Sequence, residues 1–204
     1  MSRYRGPRIR IVRRLGTLPG LTTKKTKRET LPGQHRKNRK SRNRISSYAI
    51  RLQEKQKLRF NYGITENQLL TYVKKSKRLK GATGSVLLQL LEMRLDNIIF
   101  RLGFGNTIPA SRQLVNHGHI LVNGKKVTIP SFQCHPNDTI EVRNNLHSQK
   151  LVRGFLKSKA DNSVPSFLDF KYENLTGNVK RIASRTEANI RINELLIVEY
   201  YSRK

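Results

Sequence analysis

Acidic residues are scarce in this chain. Thirteen Asp and Glu face 42 Lys and Arg among 204 residues, for a net charge of +29. Tryptophan is absent and cysteine occurs once, at position 134. No apolar run approaches the roughly 20 residues that a membrane-spanning helix requires. Each shortage excludes something. A single cysteine cannot close an internal disulfide, and it suits a reducing compartment. Cys134 and the nearby His117, His119 and His135 lack the paired spacing of a tetrahedral zinc site, so no metal and no cofactor is expected. The N-terminus has no apolar signal-peptide core. Its arginines would suit a transit peptide, but serine is scarce there and patterned sequence follows at once, so no cleaved presequence is expected.

Catalytic signatures are missing too. The chain contains no G-x-x-x-x-G-K-[ST], G-x-G-x-x-G or G-x-S-x-G stretch. Asp96 falls inside a helical pattern and Asp138 in a PND turn, where Asp is common for structural reasons. Cys134 and His135 are adjacent and would point to opposite faces of a strand. No enzymatic activity is expected.

What is present in excess is positive charge, unevenly spread. Residues 1–60 hold 20 Lys and Arg and only 2 acids. Such a balance opposes compaction unless a polyanion neutralises it, and nucleic acid is the expected polyanion, with no role at a membrane. Cations release counterions from phosphates, and Arg adds bidentate phosphate contacts and stacking. The candidate contacts outside the hairpin region are Arg3, Tyr4, Arg5, Arg8, Arg10, Arg13, Arg14, Arg51, Lys55, Lys57, Arg59, Lys74 and Lys80. Tyr4, between two arginines, is the better stacking candidate, while Tyr48 reads as packing. A many-helix surface without a distinct recognition helix favours folded RNA over DNA.

Residues 1–45 carry turn signals at Gly6-Pro7, Pro19-Gly20 and Pro32-Gly33, and six cations within RKNRKSRNR (36–44). They read as a basic extended region that orders on a partner, with Tyr4, Ile9, Ile11, Val12 and Leu15 docking its first part. Ser46 starts a helix that ends at Gly63. Thr65 and Gln68 have capping-box spacing for the next, whose last turn crowds Lys74, Lys75, Lys77, Arg78 and Lys80 before Gly81. SVLLQLLEMRLDNIIFRLG reads as one long apolar helix closed by Gly103, with Arg94 and Arg101 on one face. Thr107 and Pro109 start a short helix that ends at Gly118. Asn123-Gly124 then turns a hairpin, and 139–143 is a third strand. Residues 144–180 read as irregular, with short elements near 151–156 and 167–170. INELLIVEYYSRK is ambiguous between strand and helix; the Asn193 cap and Glu194 favour a helix packed on residues 46–80.

RLDNIIFRLGFGNTIPASRQLVNHGHILVNGKKV resembles the small RNA-binding module named after the fourth protein of the small ribosomal subunit, a module also found in pseudouridine synthases and tyrosyl-tRNA synthetases. RYRGPRIRIVRRLG at the start, PGQH at 32–35, EKQKLRFNYGI at 54–64, RLKGATG at 78–84 and INELLIVEYYSR near the end resemble that ribosomal family itself, and its chloroplast-encoded branch most. The resemblance implies an α+β chain. Residues 1–45 would be a basic extended region binding ribosomal RNA, and 46–85 the helical part of an N-terminal domain. Residues 86–150 would be the inserted helix–helix–hairpin module, and 151–204 a segment packing back on the N-terminal domain.

The same resemblance implies a structural constituent of the small subunit that binds its RNA directly, nucleates assembly of the body and influences decoding accuracy with the fifth and twelfth proteins. His35, Arg36, Lys37, Arg39, Lys40, Arg42 and Arg44 would face ribosomal RNA, or messenger RNA near where it enters. In the module the RNA side would include Arg94, Arg112, Gln113, Asn116, His117, Asn123 and Lys125. It further implies the chloroplast stroma (or a bacterial cytoplasm) and no homo-oligomer. Two departures stand out: there is no N-terminal Cys cluster for zinc, and Gln53 precedes Glu54 where many relatives carry Arg. The alternatives are an RNA-modifying enzyme, for which the remaining residues are too few, and a free RNA chaperone.

Overall fold

The computed structural model describes residues 4–28, 30–33, 46–158, 164–188 and 190–202. The chain forms two compact units, one of residues 1–86 and 189–204 and one of residues 87–188. The architecture is α+β and mainly helical, as the sequence implies.

In the first unit, helix α1 (Arg8–Leu15) begins after Pro7. It corrects the reading of this region as wholly extended: Ile9, Ile11, Val12 and Leu15 recur at helical spacing, and Leu18 and Leu21 beyond it are buried. The Gly20 N–H donates to Asn61 Oδ1 at 3.1 Å, which pins the segment to helix α2 (Ser47–Asn61). Ser46 caps α2, its hydroxyl accepting from the Ala49 N–H at 3.2 Å. Helix α3 (Glu66–Arg78) starts in the capping box that the sequence implies, Thr65 and Gln68 each bonding the other's backbone N–H. The C-terminal segment is helical: α8 (Glu194–Ser202) lies along α2, with Asn193 accepting from the Leu195 N–H. Leu58, Tyr62, Leu69, Val73 and Ile197 fill this core.

The long helix expected over 85–103 is two helices. Helix α4 (Thr83–Glu92) ends, and α5 (Leu95–Leu102) begins, at an extended Arg94 with ψ 141°. Arg94 pairs with Gln133 in an antiparallel bridge; the Cys134 N–H donates to Met93 C=O and the Leu95 N–H to Phe132 C=O, both at 2.9 Å. These non-local bonds replace the helical ones that the 3.6-residue period alone would favour. Gly103 then stops α5 in the left-handed region at φ 84°, where a side chain is costly.

Helix α6 (Ile108–Asn116) starts from Thr107 with Pro109 in its first turn. Strands β1 (Ile120–Val122) and β2 (Lys125–Lys126) flank Asn123 and Gly124, both at positive φ, as a two-residue hairpin requires. Strand β3 (Thr139–Val142) pairs with β1.

The structure departs from the sequence reading after 150. Residues 146–158 form helix α7 (Leu146–Ser158), and β4 (Leu168–Lys171) and β5 (Thr176–Val179) extend the sheet to the order β2-β1-β3-β5-β4. The second unit therefore runs to residue 188 rather than 150, and only the last residues return to the first. Val152, Leu156, Phe167, Leu175 and Val179 complete its core, which explains why this polar stretch belongs here. Gly177 crosses α5 so closely that a Cβ there would lie 2.5 Å from Leu102 Cδ1.

The exit of this unit is tied by one carboxylate. Glu187 Oε2 accepts from the Ser184 N–H at 2.7 Å, and Oε1 from Arg181 at 2.8 Å and the Ser166 hydroxyl at 2.6 Å. Burial raises its pKa, but the bonds from Ser166, Ser184 and Arg181 outweigh that and hold it at about 2. A depressed carboxylate stabilises the fold fully above its unfolded value near 4.5, and that contribution is lost as pH falls towards 2. Carboxyl carbon shifts in an NMR titration should place the Glu187 midpoint near 2, and Arg181→Ala should move it up. A midpoint in the ordinary glutamate range would rule out this tie.

Candidate nucleic-acid interface

Which cations are free depends on where the few carboxylates go. Among the described residues eight Lys–carboxylate or Arg–carboxylate pairs form, and they engage seven of the acids. Four of these pairs tie one helix to another.

In the first unit, Lys55 corrects its expected role in RNA contact. It is 4% exposed, its Nζ donates to both Glu66 oxygens at 2.9 and 3.0 Å, and it sits 4.6 Å from the Tyr200 ring centre. Burial raises the Glu66 pKa, yet hydrogen bonds from Lys55 and Tyr201 outweigh it and hold the carboxyl below its usual range. Arg51, Lys57 and Arg59 are half-buried. Arg51 pairs with Glu199 of α8 at 2.7 Å, Lys57 with Glu54, and the Arg59 guanidinium lies over Phe60. Of these four α2 cations, Arg51 and Lys55 join α2 to its neighbouring helices, while Lys57 and Arg59 make their contacts within α2.

Arg13 folds back, its Nε donating to Thr30 C=O at 2.9 Å. Tyr4 meets Phe60 edge to face at 5.4 Å and remains 44% exposed. Arg5, Arg8, Arg10 and Arg14 are exposed. So are Lys74, Lys75, Lys77, Arg78 and Lys80 at the end of α3, where the helix dipole favours cations. Sequence reasoning left Lys24, Lys25, Lys27 and Arg28 out of the site although all four are exposed; their charge density was the available signal. Arg3 and His35, Arg36, Lys37, Arg39, Lys40, Arg42 and Arg44 lie outside the described residues.

In the second unit, Arg94 also corrects its expected role. It is 2% exposed and grips Asp96 with two bonds, Nε–Oδ1 at 3.0 Å and Nη2–Oδ2 at 2.8 Å. Arg112 of α6 reaches the same Asp96 at 2.7 Å. Arg101, expected on a face with Arg94, is buried against Glu92, which also accepts from Asn97 at 2.7 Å. The Arg112–Asp96 pair fixes α6 on α5 and the Arg101–Glu92 pair fixes α5 on α4, which leaves the outward side of α6 and the hairpin tip available. Gln113, Asn116, His117, Asn123 and Lys125 are exposed there, with Lys126 beside them. Asn123 also orders the tip, its side chain bonding Asp138 and the Thr139 N–H at 2.8 Å each.

Three imidazoles line up behind α6. His117 and His119 have ring centres 6.0 Å apart, and His119 and His147 likewise. Partial burial first, then His117, His147 and Arg143, push the His119 pKa down, which favours its neutral form. Cys134 is buried and its thiol is pushed up to about 12, chiefly by burial, so it is unreactive at neutral pH. Among the described residues no cluster of three metal-ligating side chains occurs, and no helix is long and apolar enough to cross a membrane. The geometry offers scattered, outward-facing cations on rigid helices, a form suited to binding an extended polyanion.

Residues 3–92 match the family described as the ribosomal protein S4/S9 N-terminal domain, and residues 93–140 match the S4 domain. The chain is 60% identical to the small ribosomal subunit protein uS4c of Rhodomonas salina over the full length of both. It is 59% identical to uS4 of the cyanobacterium Nostoc punctiforme, again over the whole of each chain. The uS4c of Oltmannsiellopsis viridis is 59% identical over 203 residues.

Proposed function

Because this chain belongs to the S4 family of small ribosomal subunit proteins, we propose that its exposed cations bind small-subunit ribosomal RNA and hold the chain in the subunit as a structural constituent. One observation carries the reading. Seven of the described carboxylates pair with cations, and none of those pairs uses the exposed arginines and lysines of α1, of residues 24–28, of the α3 terminus or of the hairpin, which are left for phosphate. Family membership supports ribosomal RNA in particular as the source of that phosphate.

Within this reading, Arg5, Arg8, Arg10, Arg14, Lys74 and Lys80 contact backbone phosphates, and Gln113, Asn116, His117, Asn123 and Lys125 form the module's RNA side. Tyr4 keeps enough exposure for one stacking face. Arg3 and the basic residues between 35 and 44 extend the contact towards ribosomal or messenger RNA. The chain binds early and nucleates the body of the subunit. It contributes to decoding accuracy beside the fifth and twelfth proteins. Its compartment is the plastid stroma, which the uS4c relatives support, with the bacterial cytoplasm as the counterpart for the cyanobacterial ones.

Chemical footprinting of isolated small-subunit RNA with the purified chain tests this. Protections gathered where several RNA helices meet, resistant to an excess of unrelated structured RNA, are expected. Diffuse protection that any folded RNA competes away would favour a general RNA chaperone instead.

A further inference from the structure

We propose that the outward face of α7 is a second RNA-backbone contact, continuous with the α6 side through the row of imidazoles. The inference rests on the RNA-binding reading above, and it adds a surface on a helix that the sequence did not reveal.

Helix α7 buries Ser148, Val152 and Leu156 on one side. Lys150, Arg153 and Lys157 follow at i, i+3 and i+7, which puts them on the opposite side. All three are exposed, and among the described residues none lies within ion-pair distance of a carboxylate. They span about 10 Å along the axis at 1.5 Å per residue, a reach that suits successive phosphates. Near the start of α7, the His147 ring centre lies 6.0 Å from that of His119, which lies 6.0 Å from that of His117 at the end of α6, so a row of imidazoles links the two helices.

Gly154 makes the same case independently. It sits in the middle of α7, where glycine weakens a helix. The protein's own packing does not demand it: a Cβ there would meet nothing within 4 Å, and its φ lies outside the left-handed region. It leaves a low spot among Lys150, Arg153 and Lys157, through which a phosphate backbone can approach the helix closely. An acidic protein partner fits less well. The only large apolar side chain strongly exposed on α7 is Leu146, at the first residue, too little for the desolvated anchor of a protein interface.

The fold supplies its own reporter site. Cys134 is the only cysteine, buried and unreactive, so a Gly154→Cys chain can be labelled at 154 alone with an iron chelate that generates hydroxyl radicals. The labelled full chain is bound to in vitro transcribed small-subunit RNA, with its chemical footprint recorded in parallel. Discrete strand cleavage from position 154, together with a log affinity–log salt slope smaller by about 2 to 3 in the Lys150→Ala/Arg153→Ala/Lys157→Ala chain, is expected. A normal footprint with no cleavage, or with an unchanged slope in the triple variant, overturns the α7 contact and leaves the RNA-binding reading standing. No footprint at all removes both.

Discussion

Asp96→Ala should speed the reaction of Cys134 with a thiol reagent by about two to three and a half powers of ten. Asp96 is 1% exposed and is the shared partner of Arg94, itself 2% exposed, and of Arg112. Removing one member of a buried pair strands the other charge in a poorly solvated interior, at a cost of about 3–5 kcal/mol. Each 1.4 kcal/mol is a factor of ten in the open population. The Arg94 guanidinium cannot reach water without breaking the bridge to Gln133 and the backbone bonds on either side of it, which hold the turn between α4 and α5. Cys134 donates one of those bonds through its backbone and lies in the core of the same unit, so its reactivity reports the opening of that unit alone. Asp96→Asn keeps the shape and one acceptor, and should fall between wild type and alanine. A rate equal to wild type in the alanine chain would mean that the pair contributes nothing to this fold.

Affinity for small-subunit RNA should drop by about three to five powers of ten between 50 and 200 mM salt if about 6–10 phosphates are neutralised. The structure sharpens this into a contrast between cations. Lys74→Ala and Lys80→Ala, which remove exposed charges from the α3 terminus, should each lower the log–log slope by about 1. Arg101→Met removes a charge that is already matched by Glu92, so the slope should stay while the unit loses stability. Filter binding or fluorescence anisotropy across a salt series measures both. If Arg101 and Lys80 variants changed the slope equally, net charge alone would drive binding and the internal pairing would have no bearing on it.

Local rules carried far in this chain. Ser46, Thr65 with Gln68, Thr107 with Pro109, Gly103, Asn123-Gly124 and Asn193 each act within three or four residues of themselves, and the structure has the cap or turn that each implies. The break at Arg94 was invisible because its cause lies some 40 residues away in sequence, in the segment around Gln133. Residues 146–179 were hard to read for a related reason. Their polar stretches pack only because β3 offers an open edge to β5 and the module core offers a face to Val152 and Leu156.

Composition by itself determined the class of partner. A charge of +29 with 13 acids cannot be balanced within the chain, whatever its fold. Only the tertiary structure decided which cations face outward. Arg51 meets Glu199 across 148 residues of sequence, Lys55 meets Glu66, and Arg94 turns inward to Asp96. A charge in a sequence has a sign and no address; its carboxylate partner, and so its freedom to meet phosphate, is assigned when distant helices come into contact.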